Sequence, residues 1–398
     1  MIGKKKLLIA VYNLEIGGIE RSLINMLENI DYQKIDVDLF IYHHTGELLE
    51  FIPDQVRVLP EIDKYSTFRK SIKQCFKEGH YSIGTMRVLA KLISVFHPKL
   101  EEGTGYIQMQ LAQKYSMPFL PELQKAYDIA ISYAWPHDMV ANKVNARKKI
   151  AWVHTDYSKL EIDNKMDLSI WRKFDHIASV SDDCLKSFIV QYPELEEKAL
   201  VMENITSPVF IKEMCLKSNE PKFVSEKNFN LISVGRLSYV KGFDLAVEAL
   251  KILHEKGYKN IKWHVVGYGG YESELRKWIT KNKLEASFLL LGKKTNPYFY
   301  IKECDLYVQP SRYEGKAVTV TEAMILGKPV LITNYPTANS QVKHGIDGYI
   351  CDLSSHGLAE AIEQLYNNSS LRAQVVKNIE QKEFSNKEEL EKLYSLIS

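Results

Sequence analysis

Residues 306–332 spell a strand, a loop, a helix and a second strand in so short a span that a parallel α/β sheet is the natural home for them. The apolar run Leu306-Tyr307-Val308 leads into a loop carrying Glu314 and Gly315. A helix follows through Glu322 and stops at Gly327, glycine being the usual helix terminator, and Pro329 opens the strand Val330-Leu331-Ile332. Glu314 in the loop and Glu322 in the first turns of the helix thus stand eight residues apart at one strand–loop–helix junction. Ligands of open α/β sheets lie outside the carboxyl ends of strands, where helix N-termini offer free N–H groups. A carboxylate there suits the vicinal hydroxyls of a sugar, since each oxygen accepts one O–H. The bare spacing also fits a solvated helix face.

The same alternation runs through the chain. Short apolar strands of the buried parallel type are expected at Leu7–Val11, Tyr127–Ser132, Lys149–His154 and His176–Ser181, with an alternating one at Val37–Tyr42. It resumes at Asn230, with strands at Trp263–Gly267 and Phe288–Gly292. Between Asn204 and Phe229 the pattern lapses into polar, proline-containing sequence, which predicts a linker and a boundary near residue 205. A length of 398 residues with 45% hydrophobic content suffices for two such domains, each with its own core.

Several function classes drop out on composition. A net charge of +2 argues against bulk nucleic-acid binding. Five cysteines, odd in number and without a Cys-x-x-Cys pair, read as reduced thiols of a cytoplasmic protein. The start of the chain reads as a first strand and not a signal peptide, and no run of about 18 apolar residues is present to span a membrane. Asp36-Val37-Asp38 mimics a metal motif but opens a strand and lacks a third ligand; His43-His44 likewise has no metal-ligand spacing. No metal and no cofactor are expected.

Four further features sit at strand ends. Gly17-Gly18, between the first strand and first helix, lets backbone approach a ligand and aims N–H groups at an anion. Gly235-Arg236 and Lys241-Gly242 flank a loop in which two cations five residues apart can reach one ligand, a geometry suited to a diphosphate leaving group. Gly267 opens a glycine turn with Gly269 and Gly270. His154-Thr155-Asp156 and Ser181-Asp182-Asp183 put polar groups at two more strand ends, the latter reading equally well as a helix cap, with a satisfied surface histidine the alternative for His154.

The Glu-x7-Glu spacing followed by Ala323-Met324, Gly327 and Pro329-Val330, together with Gly235-Arg236-Leu237, Lys241-Gly242 and Asp244, resembles glycosyltransferase family 4, retaining nucleotide-sugar enzymes of bacterial cell-surface polysaccharide type. The resemblance extends from Gly17 to Gly348. It implies an α/β, GT-B fold, two Rossmann-like doubly wound domains facing across a central cleft. Residues 1–205 would be the acceptor-side domain, 206–380 the nucleotide-sugar-binding domain, and 381–398 a C-terminal helix packing back on the first. Arg236 and Lys241 would then hold the diphosphate, Glu314 the donor sugar or its reacting face, and Glu322 the ribose hydroxyls. Gly17, Gly18, Gly235, Gly267, Gly315, Lys316, Ala317 and Val318 would line the nucleotide-sugar site. His154 would face the donor phosphate and reacting carbon, and Asp156 would orient the acceptor. Lys316-Ala317 departs from the bulky apolar residue and glycine that usually follow the Glu-Gly pair; Lys316→Ala is expected to change donor preference more than nucleotide affinity, which turnover with ranked sugars checks.

The activity implied is transfer of a sugar, UDP-linked hexose or N-acetylhexosamine, to a glycan or lipid-linked acceptor, without a metal. Residues 64–99 form a basic helical insert in which eight Lys and Arg face the single acid Glu78, interleaved with Phe68, Ile72, Phe76, Val88, Leu92, Ile93 and Phe96. Two readings stay open for it: contact with an anionic membrane, at the inner face of the plasma membrane, or an apolar stripe packed on its own domain with solvated charges. The competing function class is a non-catalytic, membrane-associated scaffold or binding subunit of a glycosyltransferase complex.

Overall fold

The computed structural model of the chain describes residues 4–96, 105–216, 224–225 and 227–397. It separates into two compact units, one of Met1–Glu15, Met26–Asn204 and Lys387–Ser398, the other of Ile16–Asn25 and Ile205–Asn386.

The first unit is built on seven parallel strands: β1 (Lys5–Val11), β2 (Ile35–Ile41), β3 (Arg57–Val58), β4 (Leu123–Ser132), β5 (Val144–Val153), β6 (His176–Ser179) and β7 (Ala199–Val201). Their order is β3-β2-β1-β4-β5-β6-β7. Leu7 to Val11 are buried throughout, as a strand covered on both faces requires. Helix Gly18–Asn29 follows, its residues as far as Asn25 counted with the second unit, and buries Leu23, Met26 and Leu27. The core is rich in aromatics, with Phe40, Tyr42 and Tyr65 in mutual edge contact and Trp171, Phe188 and Tyr157 in a second group. Asp38 is buried in β2 and accepts hydrogen bonds from Arg57, Lys125 and Tyr127, while Asp36 pairs with Lys4 at 3.4 Å, so both carboxylates are occupied by protein cations. Helix Glu388–Ile397 belongs to this unit: Tyr394 Oη accepts from the Asp31 amide, and the Leu396 carbonyl accepts from Lys148.

The second unit carries six parallel strands: β8 (Phe229–Val234), β9 (Ile261–Val266), β10 (Phe288–Gly292), β11 (Leu306–Gln309), β12 (Val330–Thr333) and β13 (Tyr349–Cys351), in the order β10-β9-β8-β11-β12-β13. Helix Phe243–Glu255 lays Phe243, Val247, Leu250 and Leu253 into its core. In each sheet the chain reverses its direction of travel beside the first strand, between β1 and β4 and between β8 and β11. Those reversals are the switch points at which open α/β sheets bind ligands.

One expectation changes. The stretch expected as a bare linker contains helix Pro208–Leu216, with proline at its first position, where no N–H is needed, and Ile211 and Met214 turned inward three residues apart. Residues 217–223 and 226 of that stretch, and Lys99 in the basic insert, lie outside the described residues. The insert itself folds as helices Asp63–Ser66, Ile72–Lys77 and Tyr81–Ser94. Phe68 packs into the core, whereas Phe76, Val88, Leu92 and Phe96 are exposed, Phe96 at 88%. Arg69 stacks on Tyr12, Arg87 donates to the Thr67 carbonyl and Lys70 pairs with Glu78. Lys73, Lys77 and Lys91 have no ion-pair partner among the described residues. No helix among the described residues is long and apolar enough to cross a membrane.

Candidate functional site

The switch point of the second unit is where two sequence-predicted loops meet. One leaves β8 at Gly235 and Arg236 and runs to Lys241; the other leaves β11 at Pro310 and runs to Glu314. Backbone stitches them, the Arg312 amide donating to the Val240 carbonyl at 2.8 Å. Gly242 adopts φ +66° between them, and a Cβ there would fall 1.9 Å from the Pro310 carbonyl oxygen, so both conformation and space demand glycine. The Arg312 guanidinium makes two bonds to the Asp244 carboxylate, at 2.7 and 2.6 Å, a third to the Tyr239 carbonyl, and lies 3.9 Å from the Tyr239 ring centre.

That framework brings Lys241 Nζ to 2.6 Å from Glu314 Oε1. The same oxygen accepts from Gln309 Nε2 at 2.9 Å and Ser311 Oγ at 2.6 Å, so three donors fix the carboxylate. Thr337 Oγ1 donates to the Glu314 carbonyl, tying down its backbone. Lys241's aliphatic stem lies over Gly235, where an added Cβ would be 3.6 Å from its Cδ. Gly267, in turn, approaches Gly235 so closely that a Cβ would sit 1.9 Å from its carbonyl oxygen. Arg236 is exposed and has no ion-pair partner among the described residues.

Beyond Glu314, Gly315 and Lys316 are half-buried and Ala317 precedes helix Val318–Ile325. Gln341 brackets Ala317, its Oε1 accepting from the Ala317 amide at 3.2 Å and its Nε2 donating to the carbonyl at 2.5 Å. Gly18 borders this helix, a Cβ there lying 3.9 Å from Val318 Cγ2, and Gly17 caps the same turn by accepting from the Arg21 amide.

Glu322 has no exposed surface. Arg21 Nε stands 3.3 Å from its Oε1, and Tyr298 Oη donates to that oxygen at 3.2 Å. Glu322 Oε2 and Arg21 Nε and Nη1 are buried without hydrogen-bond partners. Burial raises the Glu322 carboxyl, against the opposing pull of the Arg21 charge. The carboxylate expected to meet a ribose is thus covered by Arg21 and Tyr298.

His154 and Asp156 lie in the first unit. His154 Nε2 is 2.7 Å from the Tyr133 carbonyl, which can only accept, so the proton resides on Nε2 and Nδ1 carries the lone pair. Burial lowers this imidazole to about 4, leaving it neutral at neutral pH. Asp156 accepts from the Ser158 amide at 2.8 Å, the cap of a short turn, and Ser181 caps helix Asp182–Gln191 through the Cys184 amide.

Sequence reasoning missed Gln309, Ser311, Arg312, Thr337 and Gln341, and the partnership of Arg21 with Glu322. The first three lie within residues 306–332 themselves; a carboxylate placed at a strand end signals that donors must hold it, but not which residues supply them.

Residues 217–382 match the family described as Glycosyl transferases group 1. An uncharacterised glycosyltransferase of Methanocaldococcus jannaschii is 23% identical over 98% of this chain and 96% of its own length. Poly(ribitol-phosphate) alpha-N-acetylglucosaminyltransferase of Staphylococcus aureus is 31% identical over 39% of this chain and 32% of that protein. The chain spans about half the length of the first curated relatives it matches, 51% and 44%. Among solved structures, Staphylococcus aureus TarM in complex with UDP and alpha-GlcNAc-glycerol superposes with a TM-score of 0.69 at 17% identity, over 99% of this chain and 100% of that one. The two parallel-sheet units therefore have the α/β, Rossmann-like architecture of GT-B structures, and residues 217–382 are similar to the glycosyl transferases group 1 family.

Proposed function

We propose that the chain is a retaining glycosyltransferase of family 4 that moves a sugar from a nucleoside diphosphate, UDP-linked hexose or N-acetylhexosamine, to a glycan or lipid-linked acceptor in bacterial surface polysaccharide synthesis. One observation carries the reading: Lys241 and Glu314 meet at the β8/β11 switch point, beside an exposed Arg236.

The chemistry follows from charge. Breaking the anomeric C–O bond builds positive charge on the sugar and negative charge on the departing diphosphate. Arg236, Lys241 and the amides that open helix Val318–Ile325 supply fixed positive potential for that anion, the work otherwise done by a divalent ion. The acceptor hydroxyl attacks from the leaving-group side and its proton passes to a diphosphate oxygen, which retains configuration. Glu314, held by three donors, takes the donor sugar's hydroxyls, with the Gly315–Val318 backbone and Lys316 beside it. Glu322 reaches the ribose once Arg21 yields its place. His154 enters as a neutral group facing the reacting carbon, and Asp156 as an acceptor-orienting one. The exposed apolar and basic face of residues 72–96 favours peripheral contact with the inner face of an anionic membrane.

The test is calorimetric titration with UDP, followed by incubation with a panel of UDP-sugars and product analysis by NMR. UDP binding through the second unit and an acceptor glycoside with the donor's anomeric configuration are expected. Absent nucleotide binding would replace this reading with the scaffold one; free sugar without acceptor transfer would make the chain a hydrolase.

A further inference from the structure

The first unit contains a cavity of about 190 Å³ that none of the residues discussed above explains. It opens at the carboxyl end of β4, the strand that flanks the unit's switch point, where Trp135 to Asp138 follow Ser132. Drug-sized ligands fill about 300–1,000 Å³, so this space suits one smaller unit.

Its lining combines an indole with unlike charges. Trp135 is held by edge contacts to Phe68 and Tyr106, so the aromatic wall is set in advance. Two carboxylates line the space with different fates. Asp167 is satisfied by Trp171 Nε1 and Tyr192 Oη, both at 2.8 Å. Asp138 has no side-chain donor among the described residues; Asn142 reaches only its carbonyl, and Lys173 donates to Asn142 instead. Asp138 is half-buried, and burial holds its carboxyl up at about 7 against the opposing pull of its own backbone amide. Lys114 and Lys173 beside Asp138 and Asp167 disfavour a strongly charged occupant of either sign. What remains is a neutral molecule with an apolar face for the indole and hydroxyls for a carboxyl.

We propose that this cavity is a subsite for one neutral saccharide residue of the acceptor, stacked on Trp135 with its hydroxyls bound to Asp138. The assignment rests on the glycosyl-transfer reading for its occupant, and on the first unit alone for its geometry.

The experiment is saturation-transfer NMR on the full chain with the methyl glycosides of glucose, galactose and N-acetylglucosamine as probes. At least one should bind the wild type, W135A and D138N should each weaken it by at least about tenfold, and W135F should retain most of the affinity. Thermal melts of each variant establish that it is folded. Binding of none of the three sugars, or affinity preserved in both W135A and D138N, overturns the subsite. UDP titration reads the other unit separately: sugar binding without UDP binding sinks the transferase reading and leaves the subsite standing, and the reverse sinks the subsite alone.

Discussion

Lys241 Nζ and Glu314 Oε1, 2.6 Å apart, form a closed ion pair. A diphosphate binding to Lys241 must therefore share that cation with Glu314. Glu314→Gln keeps the shape and removes the competitor, so UDP should bind as tightly or more tightly while turnover drops by about 10²–10³, the usual loss when a preorganised charge at a reacting centre goes. Lys241→Ala should instead weaken UDP by at least about tenfold. Calorimetry and initial rates separate the two; equal losses of affinity in both variants would show that the pair acts only as scaffold.

Arg312 reaches Lys241 indirectly, through Asp244, Tyr239 and the Val240 carbonyl. Arg312→Ala should loosen the loop and raise the UDP dissociation constant roughly tenfold, with about 1–3 kcal/mol of lost stability. Arg312→Lys should recover little of either, because an ammonium cannot reproduce the two-pronged bond and the stacking on Tyr239. Full UDP affinity in Arg312→Ala would free the loop from this control.

What could be read from the sequence follows physical range. Leu7–Val11 and Leu306–Val308 announce themselves because a strand buried on both faces must be continuously apolar. The loops after β8 and β11 are marked by glycines and charges within a few residues of one another. β4 is longer than its apolar stretch, since its first half, Leu123 to Ala126, is largely exposed and carries no such run. β3 and β7, two and three residues long, leave almost no periodic signal. Arg21 and Glu322 are 301 positions apart, and nothing local in either helix says that one covers the other.

That buried pair sets the next expectation. Arg21 and Glu322 are both out of water, with three polar atoms unpartnered. Removing one member strands the other's charge, a loss of about 3–5 kcal/mol, whereas replacing both by apolar side chains of similar volume is commonly neutral or better. Arg21→Met should therefore lower the urea midpoint of the second unit markedly, and Arg21→Met with Glu322→Leu should restore most of it. Additive losses in the double variant would mean that the two residues are energetically independent.

The acid groups around β4 give opposed pH responses. Asp138, raised to about 7, and Asp167, raised to about 6, hold protons in the folded chain that the unfolded chain has released above the ordinary value of 3.8; their contribution to stability declines as pH rises through those windows. His137 and His154, lowered from 6.5 to about 3 and about 4, do the reverse, adding stability as pH rises toward 6.5. The four nearly cancel in the wild type between about pH 4 and 6. Asp138→Asn deletes one declining contribution, so its unfolding free energy should climb with pH relative to wild type, by at most about 1.4 kcal/mol per pH unit between about pH 4 and 7. Denaturant melts across that range decide it, and parallel curves would refute the raised carboxyl.

The helical face of residues 72–96 offers the last test. Tyr81, Leu92, Val95 and Phe96 are 66%, 60%, 74% and 88% exposed, and Lys73, Lys77 and Lys91 carry charge that no described acid takes up. An apolar cluster of this kind is costly in water unless something covers it, and each lysine near an anionic bilayer adds about 1 kcal/mol of attraction. Vesicles of phosphatidylglycerol should sediment the chain, neutral phosphatidylcholine vesicles should do so poorly, and raising salt from about 0.1 M to 1 M should release it as the screening length shrinks from about 10 to 3 Å. The double change Leu92→Glu with Phe96→Glu touches only exposed positions, so it should abolish sedimentation while thermal stability stays within about 0.5 kcal/mol. Binding that survives both the salt and the double change would assign membrane attachment to another part of the surface, whereas loss to either separates its electrostatic from its apolar share.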